Sequence, residues 1–393
     1  MASAPMMPMN RGRGNQQMMP NPALFNRAAR LQRQNIGAVT YAAGVNSQYQ
    51  QLPPVGYHFR TFTFFDLDAT SAAAPTGTWL SGQFGGGINR FAAPLNILRG
   101  LRYTLNVSSP IYSTDGYGNY VIQLVNNRGM DPFVQVASGA VGRNRKERAV
   151  FCILNATTGA IVTPGSAIAA ATDYKLRGCY LVPLTLGESA SAGLVPVQDI
   201  RINPQLFMDF GDKTDLMTVT TDFASNFTGN FTNFVDYFTV PAPNIRPDTS
   251  YVLQTRQDIQ QIAGAGDNSY KPQIGGVILR TIFTIWNNSQ AVDVPTVGDL
   301  RLRIQQGVVL EELTPQIRIM DERRWYSKLL PDEVYVFDHL TGFGDPTLPS
   351  LRDRIASNTL TLLEYIVNWV GAVTATAEFR NYVMQLVPLP RVQ

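Results

Sequence analysis

The sequence is poor in the residues that build most active sites. Only two histidines, His58 and His339, occur in 393 residues, and they lie in different halves. A zinc site with several imidazoles and a His-based catalytic triad are therefore unavailable. Cysteine is as scarce: Cys152 and Cys179 have neither the spacing of a metal site nor the density of a disulfide framework. They read as small buried strand residues. No run of about 18 apolar residues is present, since the best stretch, TLLEYIVNWVGAV, is broken by Glu364. The N-terminus has no apolar signal core. The sequons at Asn106, Asn155, Asn226, Asn230 and Asn287 then carry no glycosylation reading, and the expectation is a soluble protein of a reducing compartment. Acidic residues are missing from the start of the chain: none precedes Asp66, while six arginines do. The first 65 residues thus carry +6 of a net +3, leaving −3 for the remainder. The basic character belongs to an arm, not to a fold.

What is present is apolar and turn-rich. Hydrophobic residues make up 45% of the chain, enough for a substantial core, and charged ones only 16%. With 32 Gly and 25 Pro, short strands and many turns are favoured over long helices. From about His58 the apolar period is two. LRYTLNV and LRLRIQQ alternate as half-buried strands do, and GVILRTIFTIW is apolar on nearly every residue, as a strand covered on both faces would be. FRTFTFF, YVIQLV, RAVFCIL, YKLRGCYLVPL, QLFMDF, SYVLQTR, EVYVFDH and TLTLLEYIVNWV read as further strands. Strands separated by Gly, Pro, Asn and Asp clusters, without alternating helices, predict sandwiches or barrels. Short helices are expected at Asp321–Leu330, capped by Asp321 and stopped by Pro331, and more weakly at Glu188–Val195.

The chain also repeats itself. FVDYFTVPAP (Phe234–Pro243) and FRNYVMQLVPLP (Phe379–Pro390) share one phrase, Phe-x-Asp/Asn-Tyr leading to Val-Pro-x-Pro. Leu194-Val195-Pro196 echoes Leu329-Leu330-Pro331, and FGDKT at Phe210 echoes FGDPT at Phe343, in the same order. Together they predict two copies of one β-domain, each closed by a strand that prolines terminate.

Ahead of the copies lies the arm. Six of the eleven Met fall in residues 1–20, with Arg, Gly, Pro and Gln, a mixture that predicts disorder. An amphipathic helix is expected over about 22–36, opened by Asn21 and Pro22. It gathers Leu24, Phe25 and Leu31 on one side and Arg27, Arg30 and Arg33 on the other. Such a helix can lie on an anionic bilayer, on a neighbouring subunit or under its own barrel; nucleic acid is a weaker fourth reading, for want of a dense basic run. Elsewhere the candidate chemistry is thin. Gly85–Gly87 and the YGNY around Gly118 are turn glycines without the setting of a phosphate loop. Glu311-Glu312 and Asp321-Glu322 are adjacent acids near a helix start, and the basic run Gly142–Arg148 reads as an exposed turn.

In this order the segments resemble the double jelly-roll major capsid proteins of tailless icosahedral phages with an internal membrane, the tectivirus type, in the adenovirus-hexon-like lineage. Ala29-Arg30-Leu31-Gln32-Arg33-Gln34 is similar to a phrase that precedes the family's first barrel. CYLVPLTLGESASAGLVPV (Cys179–Val197) is similar to its late first-barrel strand and helix. SYVLQTRQDIQQI, GVILRTIFTIWNNSQ and EVYVFD resemble second-barrel strands, whereas the longer Met-rich arm and the loops at 82–87 and 115–119 depart from the pattern.

The resemblance implies an all-β fold of two tandem eight-stranded jelly-roll barrels with short helices. Residues 1–55 would form the arm, 56–243 the first barrel and 244–393 the second. It implies a non-enzymatic coat subunit of the virion shell, assembled in the host cytoplasm, which trimerises into pseudo-hexagonal capsomers. Its partners would be its own copies, penton and minor capsid proteins, and an internal viral membrane met by the arm (Leu24, Phe25, Arg27, Arg30, Leu31, Arg33). No cofactor, metal or specific nucleic acid is expected. The rival readings are a receptor- or glycan-binding β-sandwich spike protein and a carbohydrate-active enzyme with two apposed carboxylates. Deleting residues 1–36 is expected to leave soluble trimers that incorporate poorly.

Overall fold

The computed structural model describes residues 25, 28–80, 93–106, 110–126, 151–163, 165–185, 193–198, 202–223, 225–239, 247, 249–273, 275–287, 290–291, 297–304, 308–326, 330, 334–339, 355–356, 363–373 and 377–389. Within them the first half of the chain forms β1 (Leu31–Thr40), β2 (Gln48–Gln51), β3 (Tyr57–Thr70), β4 (Leu98–Thr104), β5 (Pro110–Thr114), helix α1 (Gly116–Asn126), β6 (Cys152–Asn155), β7 (Ile161–Val162), β8 (Asp173–Pro183), β9 (Gln205–Phe210) and β10 (Thr228–Phe238). The second half forms β11 (Tyr251–Gln261), β12 (Gly266–Tyr270), β13 (Val277–Asn287), β14 (Gln290–Ala291), β15 (Val297–Ile304), β16 (Val308–Leu313), α2 (Pro315–Tyr326), β17 (Val334–Asp338), β18 (Ile355–Ala356), β19 (Leu363–Trp369) and β20 (Glu378–Pro388).

Strand pairing reveals the duplication. In the first half one sheet runs β1-β10-β3-β8, extended by β6 and β7, and its partner sheet runs β2-β9-β4-β5. In the second half the sheets run β11-β20-β13-β17 and β12-β19-β15-β16. Setting aside the short additions, each half has eight strands in the order 1-8-3-6 over 2-7-4-5, with a helix between the fifth and the sixth. That is the jelly roll, written twice. The alternation read from the sequence sets the layers. Along β3, Phe59, Phe65 and Leu67 point into the core while Phe64, Asp66 and Asp68 are exposed. The first core is built on Phe65, Tyr180, Phe210 and Phe231, and the second on Phe283, Phe337, Tyr365 and Phe379.

Tyr237 and Tyr382 of the repeated phrase lie on corresponding strands, β10 and β20, the last of each barrel. The phrase sits near the end of β10 but at the start of β20, so strand and direction match while height does not. The other echoes are not equivalent. Leu194 follows the sixth strand of its barrel, whereas Leu330 precedes it; residues 343–347 lie outside the described residues.

Four expectations need correction. Residues 31–51 belong to the first barrel, which starts at Leu31 rather than at 56: β1 pairs β10 from Leu31↔Phe238 to Thr40↔Asn230, and β2 pairs β9. The helix expected over 22–36 therefore cannot run past Arg30, because Leu31–Thr40 gains a full ladder of hydrogen bonds that outweighs local helical periodicity. YVIQLV is not a strand but the body of α1, and α2 starts at Pro315, with Thr314 Oγ1 accepting from Ile317 N at 3.4 Å, so Asp321 lies inside the helix rather than at its cap.

The two barrels join side by side. β5, the edge of one first-barrel sheet, pairs in parallel with β11 of the second barrel at Thr255↔Tyr112 and Arg256↔Ser113, making one continuous sheet of ten strands, eight of them along its main path. Helix α1 fills the angle beside this seam, with every residue from Gly116 to Val125 buried. On one side Asn119 and Gln123, one turn apart, bond the β8 backbone at Leu181 and Cys179, where β6 no longer covers it. On the other, Tyr117 meets Trp286 edge-on at 5.3 Å and Arg280 donates to Asn126 Oδ1 at 2.7 Å. Asp115 caps the helix through Gly118 N at 2.6 Å and exchanges hydrogen bonds with Gln257 of β11 at 2.7 and 3.0 Å. A Cβ at Gly118 would overlap the ring of Tyr382. Gly118→Val is expected to destabilise the protein by about 1–3 kcal/mol through overpacking of this seam, read as a lower midpoint in urea; an unchanged midpoint would mean the seam yields freely.

Candidate assembly surface

The groups that chemistry would need are spent on structure. His58 is fully buried on β3. Its Nδ1 accepts from Tyr103 OH at 2.8 Å, and its Nε2 donates to the Pro53 carbonyl at 3.0 Å. Burial pulls its pKa down to about 4 against the smaller opposing effect of the Pro53 bond, so the ring is neutral at pH 7. Burial pushes the Cys152 thiol up to about 11 and the Cys179 thiol up to about 12, and both are free. Neither forms an attacking thiolate at neutral pH. Glu311 is raised to about 7 by burial and by Asp321 and Asp338, with His339 Nδ1 3.8 Å away. Asp338 itself is held by Arg280 at 2.6 Å, and Glu312 is exposed. Among the described residues no three His, Cys, Asp or Glu side chains gather as a metal site, and no helix is long and apolar enough to cross a membrane. Gly85–Gly87 and the basic run 142–148 lie outside the described residues.

The arm residues divide. Leu24 and Arg27 lie outside the described residues. Phe25 is fully buried under the first barrel, 5.4 Å from Tyr57 and 5.6 Å from Phe238, in a nest completed by Phe59 and Leu194. Of the settings considered for the arm, this end occupies the one beneath its own barrel. Arg30 is exposed, and so is Leu31, at 42%. Phe25 and Leu31, expected together on one apolar face, are thus separated by the change from helix to strand.

Arg33 points onto the outer face of the β1-β10-β3-β8 sheet. There its guanidinium and that of Arg60 close on the Asp236 carboxylate at 2.7 and 2.9 Å. Burial opposes ionisation of Asp236, but the bonds from both arginines outweigh it and hold the carboxyl below its usual range. Below this charged row the same face presents Phe62, Phe64 and Phe234, with ring centroids 6.1 Å apart for Phe62–Phe64 and 5.6 Å for Phe64–Phe234. Leu181 and Cys179 stand beside them on β8. Arg33 lies 4.8 Å over the Phe62 ring, and Phe64 is 44% exposed. Asp66, Asp68, Lys175 and Arg177 bound the patch on the far side. An apolar island rimmed by charge is the form of a contact surface rather than of a catalytic cleft. A second such area lies on the other barrel: Val308, Val309 and Leu310 of β16 are 61%, 45% and 52% exposed, next to Ile317, Ile319 and Met320 of α2 at 38%, 42% and 57%.

No family model and no curated protein matches the sequence. Solved structures do match in fold. The major capsid protein of Sulfolobus turreted icosahedral virus aligns at 13% identity and a TM-score of 0.63, covering 91% of this chain and 97% of that one. The PBCV-1 virus capsid protein aligns at 8% identity and 0.56, covering 91% and 94%. The Faustovirus major capsid protein aligns at 8% and 0.51, covering 92% and 91%. At such identities the likeness is one of fold, and the chain has the double jelly-roll fold of these viral capsid proteins.

The histidine sets a pH dependence. Unfolded His58 protonates near 6.5 and the folded ring only near 4, so the unfolded state binds more protons between these values and stability falls as pH drops from 6.5 to 4. About 3 kcal/mol is at stake by the linkage relation. Denaturation curves from pH 7 to pH 4 are expected to show this loss, and His58→Asn to lack it; equal slopes would refute the assignment.

Proposed function

We propose that the chain is a repeating coat subunit of an icosahedral virion shell, structural rather than catalytic. The observation that carries this reading is the side-by-side union of two barrels of identical strand order. Such a subunit presents two similar corners, so three copies about an axis make a six-cornered tile that packs densely while keeping threefold symmetry. The capsid proteins that share the fold support the same role. The specificity of such an assembly rests on broad complementary surfaces, which is what the two exposed apolar areas offer. The abundance of Arg over Lys, 27 to 5, suits fixed polar contacts at such surfaces.

The arm completes the reading. Its anchor is Phe25, and the residues ahead of it carry Arg11 and Arg13 with six Met and no acid, a composition that favours an anionic lipid surface beneath the shell. Because β1 starts at Leu31, a deletion through residue 36 would remove a barrel strand as well as the arm. Deleting residues 1–24 instead is expected to leave soluble trimers, seen by light scattering, whose binding to phosphatidylserine vesicles falls several-fold. A monomeric full-length protein that forms no shells or sheets under the electron microscope would overturn the coat-subunit reading. Unchanged vesicle binding would overturn only the role of the arm.

A further inference from the structure

Helix α1 lies on one face of the sheet that joins the barrels, and a different set of residues lines the other. On the helix side, Tyr112 of β5 accepts from Asn119 Nδ2 at 2.5 Å. Alternation along each strand turns the neighbouring residues the opposite way. Five of these stand in register across five strands: Tyr49 on β2, Phe207 on β9, Arg102 on β4, Ser113 on β5 and Arg256 on β11. Leu206, Met208, Leu101 and Tyr103, which alternate with them, are core residues of the first barrel, so the row lies on that barrel's outer surface. The next residue across, Val383 on β20, belongs to the second core. Arg256 therefore stands at the corner where the exterior of one barrel meets the interior of the other.

The row is graded in chemistry. At the free edge Tyr49 is 62% exposed, with its ring 6.0 Å from that of Phe207. Arg102 lies over the Phe207 ring at 5.6 Å and reaches Asp209 at 3.2 Å, so its charge is balanced. Ser113 separates it from Arg256, and its hydroxyl has no hydrogen-bond partner among the described residues. Arg256 is half-buried and forms neither an ion pair nor a hydrogen bond among them. Asp258, two residues on, accepts instead from Tyr270 OH at 2.7 Å. Two residues along β2 and β9 from the row, Gln205 Nε2 donates to Gln51 Oε1 at 3.3 Å and Gln51 Nε2 to Asn203 Oδ1 at 2.5 Å. Three polar atoms packed into this face, Arg102 Nε, Thr104 Oγ1 and Gln205 Oε1, have no partner among the described residues. Unspent donors and acceptors collected beside an exposed ring suit a polar ligand with one apolar side.

We propose that this face binds an acidic oligosaccharide, with one sugar ring stacked on Tyr49 and a sugar carboxylate held over Ser113 between Arg102 and Arg256. A sugar has the two sides that the row requires. Its ring face packs on an aromatic ring, while its hydroxyls exchange hydrogen bonds with amides such as those of Gln51 and Gln205. The charge also matches: Arg256 is a cation without an acid bonded to it, and guanidinium and hydroxyl donors suit a carboxylate. A single-stranded nucleic acid would use rings and arginines too, but a phosphate on every nucleotide needs a run of unbalanced cations, which this row lacks. At about 4.8 Å per strand, the row from Tyr49 to Arg256 spans about 19 Å, the reach of a short oligosaccharide. The inference stands apart from the coat-subunit reading, since it gives the surface a ligand whatever the chain assembles into.

The test titrates the full-length protein with sialyllactose and with a galacturonic acid trimer, which carry the same carboxylate on different sugars. Uncharged lactose and a thymidine hexanucleotide serve as comparisons, and calorimetry and ligand-observed NMR report binding. At least one acidic sugar is expected to bind about tenfold or more tightly than lactose. Arg256→Gln, at a residue with no ion pair to lose, is expected to remove that preference. Tyr49→Ala is expected to weaken binding of the same sugar by about fivefold or more. Circular dichroism and thermal melting report whether both variants keep the fold. Failure of both acidic sugars to bind, binding that either substitution leaves unchanged, or tighter binding of the hexanucleotide would overturn the proposal and leave the coat-subunit reading intact. That reading fails instead on a monomer that forms no shells, whatever the sugars do.

Discussion

The arrangement depends on a helix with no face toward water. From Gly116 to Val125 every residue of α1 is buried. Such a helix cannot be stable on the surface of a single barrel, and it is stable here because two barrels enclose it. Its polar side chains are satisfied in opposite directions. Asn119 and Gln123 complete the exposed edge of β8 in the first barrel, while Asn126 and the capping Asp115 are bonded by residues of the second. Removing either barrel would strand both apolar area and hydrogen bonds. The two jelly rolls are therefore one folding unit joined at α1, with β5 and β11 continuing a sheet from one to the other.

That constraint explains why duplication did not produce two equal halves. Each copy inherits a helix after its fifth strand and a sheet face beside its first. Joining the copies in one chain uses one helix and one face and leaves the others open. The open face is also where the chain manages its charges. Arg33 and Arg60 hold Asp236 at one border, and Lys175 and Arg177 meet Asp66 and Asp68 at the other, so the apolar island between them is bounded without an unpaired buried carboxylate. β1 itself is shielded as an edge by Arg33 and by a bulge between Asn35 and Gly37, a common defence of free strands in solution.

Much of this was legible in the residues, and the parts that were not have physical reasons. Period-two alternation located β4 and β15, where one face meets a core, and apolar, aromatic runs between turn clusters located β3, β8, β9, β11, β17 and β19. The largely apolar β13 read correctly as covered on both sides; its second cover is α1. The same uniform apolarity misled at YVIQLV, where a helix buried all round has no polar face to reveal its period. At Leu31–Thr40 the reverse occurred: local sequence winds plausibly as a helix, but the decisive interaction is with β10, about 200 residues away, which no local period reports. The phrase shared by Phe234–Tyr237 and Phe379–Tyr382 did mark corresponding strands. Its shift along them suggests that what the two strands share is their chemistry, aromatic residues beside a polar one, more than an aligned position. Cys179–Val197 combined a correct strand with an incorrect helix end, since Gly193–Val195 is extended and bridges β3 and β11. The contact surface was least legible of all, because a sheet's outer face and a helix's first turns become a surface only when the topology places them.

The two helices differ in what covers them. α1 meets its partner barrel within the same chain, at an effective concentration fixed by covalent linkage, so it is buried as soon as the chain folds. Nothing then selects for a soluble face, and small residues such as Gly118 can admit a ring at contact distance. Helix α2 is not enclosed in this way, and Ile317, Ile319 and Met320 are exposed. It needs enough polar surface to remain soluble and enough apolar surface to associate. The sequence of α2, PQIRIMDERRWY, mixes Ile317, Ile319 and Met320 with Arg318, Asp321, Glu322, Arg323 and Arg324, whereas GYGNYVIQLVN carries no charge at all. Helices that follow the fifth strand of each barrel thus differ in composition as they differ in cover, α1 enclosed within the chain and α2 keeping Ile317, Ile319 and Met320 exposed beside its charged residues.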